Sequence, residues 1–158
     1  MRKSMYLDMS ELEQLAERIQ QMAEGDIINF ICWLLPKLQQ ELIGRAKLRT
    51  PVNSGDLRKH WQPGEIRIIG DVVEAEVIND LEYASDVEYG FRSHFVPGYW
   101  QGKTFVYSKG AKTGMQVGPP GGRVPGRFML KISLEEIERE LPAYLDDMLQ
   151  DYLDKHFN

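Results

Sequence analysis

Hydrophobic positions recur at helical spacing along two long stretches of the chain and alternate at strand spacing between them. Ser10-Glu11-Leu12-Glu13 has the Ser-x-x-Glu form of a capping box, and Leu12, Leu15, Ala16, Ile19 and Met22 follow at helical intervals until Gly25, predicting a first helix near 10–24. Asp26 can cap a second helix with the apolar stripe Ile28, Ile31, Cys32, Leu35, Leu38, Leu42 and Ala46, ended by Thr50-Pro51. Pro36 interrupts that stripe, so a kink near 33–36 or two shorter helices are expected. Ser133-Leu134-Glu135-Glu136 is a second capping box, followed by Leu134, Ile137, Leu141, Leu145, Met148, Tyr152 and His156 on one face. This predicts a C-terminal helix within 126–158, with Pro142 marking a kink or break.

Between the helices, Thr50 to Gly55 is turn chemistry. Glu65–Ile69 and Val72–Ile78, joined at Gly70-Asp71, read as an antiparallel hairpin. Leu81–Tyr89 reads as a short helical turn, with Tyr83, Ala84, Val87 and Tyr89 packing on the sheet and Glu88 left exposed. From Gly90 to Gly126 stand nine of the fourteen glycines and four of the eight prolines, too many for a regular buried element and too long for an ordinary connection. Strands near 104–107 and 115–117 are expected to project from it as a long hairpin. The fold class is therefore α+β, a small antiparallel sheet packed by a long N-terminal helix and a C-terminal helix, with a long Gly-rich loop or hairpin. One domain over 1–158 is expected, divided into helical 1–49, turn and sheet 50–90, a basic loop 91–125 and helical 126–158.

Composition changes this picture mainly through charge. Hydrophobic residues are 42% and charged residues 27%, a globular balance, and the net charge of −5 gives no overall basic footprint for nucleic acid. The charge lies in blocks with nets of 0 over 1–50, −6 over 51–90, +7 over 91–134 and −6 over 135–158; the third block holds no carboxylate. Such asymmetry suits contact between copies or with partners. A single cysteine, no apolar leader and no run of about 18 apolar residues lead us to expect a soluble protein of a reducing cytoplasm, without disulfide or membrane span.

Candidate chemistry is sparse. His60, His94 and His156 have no metal-ligand spacing, Cys32 is expected in the core, and Ser54 lacks the glycine of a nucleophile elbow. Gly118-Pro119-Pro120-Gly121-Gly122-Arg123 has neither the ending of a P-loop nor the order of a dinucleotide turn. No catalytic residue, metal or cofactor is expected. Asp80, Glu82, Asp86 and Glu88 could in principle serve acid/base or metal chemistry in a hydrolase, but a solvated or intersubunit acidic surface is the simpler reading. Phe91, Phe95, Tyr99, Trp100, Phe105 and Tyr107 among the cations of 91–127 give the aromatic-plus-cation mixture of single-strand nucleic-acid grooves.

Three blocks carry a resemblance. Ala46-Lys47-Leu48-Arg49-Thr50-Pro51-Val52-Asn53-Ser54-Gly55-Asp56-Leu57, running on to Trp61, resembles the "AK..TPVdTG.Lr.sw" signature of the neck, or tail-component, family of tailed bacteriophages. Val77-Ile78-Asn79, Tyr83-Ala84 and Val87-Glu88-Tyr89-Gly90 resemble the family's "v.N...YA..vE.G", and Gly126-Arg127-Phe128-Met129-Leu130 resembles the passage before its last helix. Phe91 departs from the family's threonine, and the long stretch 92–125 is similar to versions in contractile-tailed phages and phage-tail-like particles. The resemblance implies an α+β, non-enzymatic structural protein of the virion or tail-like particle, made in the host bacterial cytoplasm. It further implies a neck, collar or tail-terminator ring, commonly of six subunits, that meets tail tube, sheath, terminator or connector proteins, with weak DNA contact in the lumen. On this reading Asp80, Glu82, Asp86 and Glu88 of one subunit face Arg92, Lys109, Lys112, Arg123 and Arg127 of the next. Phe95, Tyr99, Trp100, Phe105 and Phe128 add apolar contact, while Pro51, Gly55 and Gly90 shape turns. The alternative is a nucleic-acid-contacting module using 91–127.

Overall fold

A computed structural model describes residues 1–8 and 24–157, and it divides them into two compact units. The first comprises residues 1–84 and 129–157, the second Ser85–Phe128. The helix expected near 10–24 lies, up to residue 23, outside the described residues.

In the first unit, helix α1 (Glu24–Arg49) runs unbroken through Pro36, contrary to the expected kink or division. Pro36 is exposed, so the carbonyl it leaves without a donor faces water, while Leu34, Leu35 and Leu38 stay buried on either side of it. Ile27, Phe30, Ile31, Leu34, Leu35, Leu38, Leu42, Ile43 and Ala46 form the buried stripe. Five of the seven positions expected from the sequence belong to it, whereas Ile28 is half-buried and Cys32 is exposed rather than in the core. The uninterrupted apolar run Phe30–Leu35 hides the phase of the helix, which explains the difference.

A short helix α2 (Asp56–Lys59) leads into strand β2 (Trp61–Ile69), which pairs with β3 (Val72–Asn79) around Gly70 in the expected hairpin. β2 begins earlier than expected, with a register irregularity between Pro63 and Ile66. A third strand, β1 (Arg2–Asp8), pairs along the other edge of β3, giving the antiparallel order β1-β3-β2. Val73, Ala75 and Val77 are buried on one face of the central strand, and α1 packs against β2, β3 and the final helix α4 (Met129–Phe157). α4 starts before its expected capping box: Ser133 is buried within the helix and its hydroxyl donates to the Met129 carbonyl at 2.6 Å. It too runs unbroken through an exposed proline, Pro142. His156 is exposed, with its ring stacked on Tyr152 at 4.3 Å.

Arginines tie the two long helices together. Arg45 pairs with Glu41 at 2.8 Å, Glu136 at 3.4 Å and Glu140 at 2.6 Å, and Arg49 reaches Glu136 and the Ser133 hydroxyl. Burial within the sheet makes Glu76 a further paired acid, held by Arg67 at 2.7 Å with Arg2 at 3.9 Å.

The second unit begins in the short helix α3 (Ala84–Tyr89), the helical turn expected here, and continues in strands. β4 (Gly90–Arg92) pairs with β8 (Arg123–Pro125) as a two-stranded ribbon. β5 (His94–Gln101) is flanked by β6 (Thr104–Tyr107) and β7 (Gly114–Val117) in a three-stranded antiparallel sheet. The strands expected at 104–107 and 115–117 are therefore present, but each pairs with the unforeseen β5 rather than with the other.

Candidate interaction surface

The first motif block and Asn79 of the second meet inside the first unit as a hydrogen-bonded joint. Thr50 is buried; its hydroxyl donates to the Ala46 carbonyl at 2.6 Å and accepts from the Trp61 indole at 2.8 Å. Arg58 donates to the Thr50 carbonyl. Gly55 adopts φ +85°, a left-handed value that suits glycine, and starts α2, from which buried Leu57 gives its carbonyl to the Asn79 side chain at 2.8 Å. Asn79, fully buried, also accepts from the Leu81 N–H. Pro51 stands exposed in the turn. These residues join helix to sheet by satisfying one another's buried polar groups.

The remaining motif residues close the second unit on itself. The N–H groups of Arg127 and Phe128 donate to the carbonyls of Val87 and Glu88 at 2.8 and 3.0 Å, capping the end of α3. Gly90, at φ +76°, lies so near β8 that a Cβ would stand 2.3 Å from the Val124 carbonyl oxygen; a Cβ on Gly126 would stand 2.3 Å from that of Glu88. Phe128 takes the left-handed φ of +49°, a strained value for a bulky residue, at the point where the chain turns into α4. Arg123 extends this clasp by donating to the Tyr89 carbonyl at 3.1 Å.

The four acidic residues do not form one exposed surface. Glu88 is fully buried, not exposed, because α3 turns it away from solvent; Tyr83 and Tyr89, expected to pack inward, are exposed while Ala84 is buried. Asp80 shares a 2.6 Å hydrogen bond with His60 Nδ1, which holds its carboxyl below the ordinary aspartate range. Glu82 and Asp86 are exposed.

Arg92, Phe95, Tyr99, Trp100, Phe105, Lys109, Lys112, Arg123, Arg127 and Phe128 all lie in the second unit. Strand geometry sends alternate side chains to opposite faces. Trp100 faces Phe105 across the β5–β6 pair, with ring centroids 5.3 Å apart, and Tyr107 stands opposite Gly98 on the same face. Phe95 and Tyr99 project from the other face. Two glycines make room for rings: a Cβ on Gly98 would come within 2.7 Å of the Phe105 ring, and one on Gly114 within 2.5 Å of the Phe95 ring. Even so, Phe95, Tyr99, Trp100 and Tyr107 are 51–63% exposed. Tyr107 is the most exposed of them and belongs with the candidate contact residues; its place in an alternating Thr-Phe-Val-Tyr strand was the available signal.

Cations add to this surface. Arg92 and Arg123 stand directly opposite each other on the β4–β8 ribbon, a repulsive cross-strand pairing. Among the described residues, no side chain of the chain forms an ion pair with Arg92, Lys103, Lys109, Lys112, Arg123 or Arg127, in contrast to Arg45, Arg49 and Arg67 of the first unit. Among the described residues no cluster of three His, Cys, Asp or Glu side chains is placed to hold a metal ion, and no helix is long and apolar enough to cross a membrane.

Residues 13–90 match the profile of a protein family described as "Bacteriophage HK97-gp10, putative tail-component". The match contains the Thr50–Trp61–Asn79 joint and ends at Gly90, where the strands of the second unit begin. No curated protein and no solved structure matches the chain with significance.

Proposed function

Because residues 13–90 make this chain a member of the HK97-gp10-like family of bacteriophage tail components, we propose that it is a non-enzymatic ring subunit of the neck, collar or tail terminator, at the head-proximal end of the tail. Family membership gives the coarser statement, a structural virion protein that meets other virion proteins. The finer reading rests on one observation: the sheet β6-β5-β7 exposes large aromatic side chains on both faces, beside cations without acidic partners. An isolated three-stranded sheet with this much exposed apolar surface gains stability when a partner covers it. Hexameric closure, contact with tail tube, sheath and connector proteins, and a contractile or phage-tail-like particle complete the proposal.

The test is assembly. Purified protein is examined by light scattering and negative-stain imaging, then mixed with tail tubes. Closed rings, or end-capping of the tubes, support the proposal; a monomer that leaves tube ends bare refutes it. Exposed Tyr99, Trp100 and Tyr107 beside Lys103, Lys109 and Lys112 favour a second reading, nucleic-acid contact. That reading requires affinity for a DNA probe that falls steeply with salt.

A further inference from the structure

The second unit carries cations that no acid of the described residues pairs, and α4 of the first unit carries acids that no cation of the described residues pairs. On α4, the exposed Asp146 and Asp147 form no ion pair among the described residues, while Glu136 and Glu140 are held by Arg45 and Arg49. Residues 135–158 have a net charge of −6, against +7 for 91–134. The repulsion between Arg92 and Arg123 across the ribbon is relieved when a carboxylate stands between them. β4 continues through Ser93, whose N–H and hydroxyl both bond the Gly122 carbonyl, directly into aromatic β5. A single segment of partner can therefore meet both the arginines and the rings.

We propose that the arginine ribbon and aromatic sheet of one copy receive the C-terminal half of α4 from a second copy, around Asp146 and Asp147. The proposal rests on the ring reading above and names the surfaces that meet. It prefers a second copy to nucleic acid because a chain of net charge −5 repels a polyanion overall, whereas its own acidic helix is supplied in equal number with every basic sheet. Surfaces of different composition meeting head to tail make a heterologous contact, the kind that builds rings.

The experiment uses the full chain in two charge-reversed forms, R92E/R127E and D146K/D147K; all four side chains are exposed and free of ion pairs within the described residues. Circular dichroism checks that each is folded, and sedimentation velocity at low salt reads self-association. The expected result is association of the wild type, weakening by about tenfold or more in each variant alone, and recovery of association when the two variants are mixed. Recovery on mixing separates a paired interface from two unrelated lesions. If the wild type and both variants associate equally, the named surfaces are wrong while the ring reading stands. A wild type that stays monomeric up to about 1 mM overturns the proposal and the self-assembling ring together. If instead the wild type binds a DNA duplex or single strand and R92E/R127E does not, with no self-association, the surface belongs to nucleic acid and the proposal falls.

Discussion

The two compact units use short antiparallel strands to opposite ends. In the first, β3 is paired on both edges, its inward side chains are buried beneath α1, and buried polar groups such as Thr50, Trp61 and Asn79 satisfy one another. In the second, β5 is likewise paired on both edges, yet its aromatic side chains remain half exposed and its cations lack acids. The same pairing pattern yields a self-sufficient scaffold in one case and an unfinished surface in the other. Hydrogen bonding between strands specifies a sheet, but covering its faces is what completes it.

This contrast can be broken most forcefully in the scaffold. Leu42→Ala removes a fully buried α1 side chain and is expected to cost about 3 kcal/mol, read as a lowered urea midpoint. A loss below about 1 kcal/mol would mean that α1 is not the centre of the core. Gly90→Ala attacks the clasp: the left-handed backbone and the 2.3 Å approach to the Val124 carbonyl oxygen predict a loss of about 2 kcal/mol, with faster proteolysis between 90 and 126. Thr50→Val keeps the shape of the joint but leaves the buried Trp61 indole without its acceptor, for about 1–2 kcal/mol in denaturant titration.

The second unit should respond differently. Replacing Trp100 and Tyr107 together by Ser is expected to alter stability by only about 0.5 kcal/mol while abolishing partner contact in the assembly assay. A loss of stability rivalling that of Leu42→Ala would place these rings in a core instead. The smallest effect concerns pH. His60 holds the Asp80 carboxyl, and Arg45 the Glu140 carboxyl, below their ordinary ranges. A lowered folded-state pKa contributes stability that is present above the unfolded value and lost as pH falls through the folded one. Asp80 is exposed and Glu140 half-exposed, so only a slight fall in unfolding midpoint is expected below the usual carboxylate range, and Asp80→Asn should flatten it. A stability profile of that variant superimposable on the wild type would remove Asp80 from the account.

How much of this was legible in the sequence depended on where the determining contacts lie. The long helices were legible because their apolar spacing is local, although the continuous apolar run Phe30–Leu35 blurred the phase and misplaced Cys32. Pro36 and Pro142 resembled breaks because the rule against interior prolines carries no information about exposure. β1 escaped notice since its partner residues stand some seventy positions away: Arg2 pairs with Ile78, and only the sheet makes that segment a strand. β5 was hidden by Pro97 and Gly98, which argue against a strand until the Phe105 ring over Gly98 is seen. At the candidate site, the aromatic and basic residue types were readable, but not their distribution over two faces. Glu88, Arg127 and Phe128 drew attention as motif residues without showing why; the backbone bonds of the clasp give Arg127 and Phe128 a folding role.

The clasp has an architectural corollary. With the N–H groups of Arg127 and Phe128 bonded to the carbonyls of Val87 and Glu88, the chain leaves the second unit at the place where it entered. A segment anchored at such a gate is a cassette: lengthening it raises the entropy of closure only logarithmically, so its strands can be shortened, extended or exchanged while the anchoring residues stay fixed. Sheets of different length and chemistry can thus be mounted on one helical chassis, each fitting it to a different neighbour.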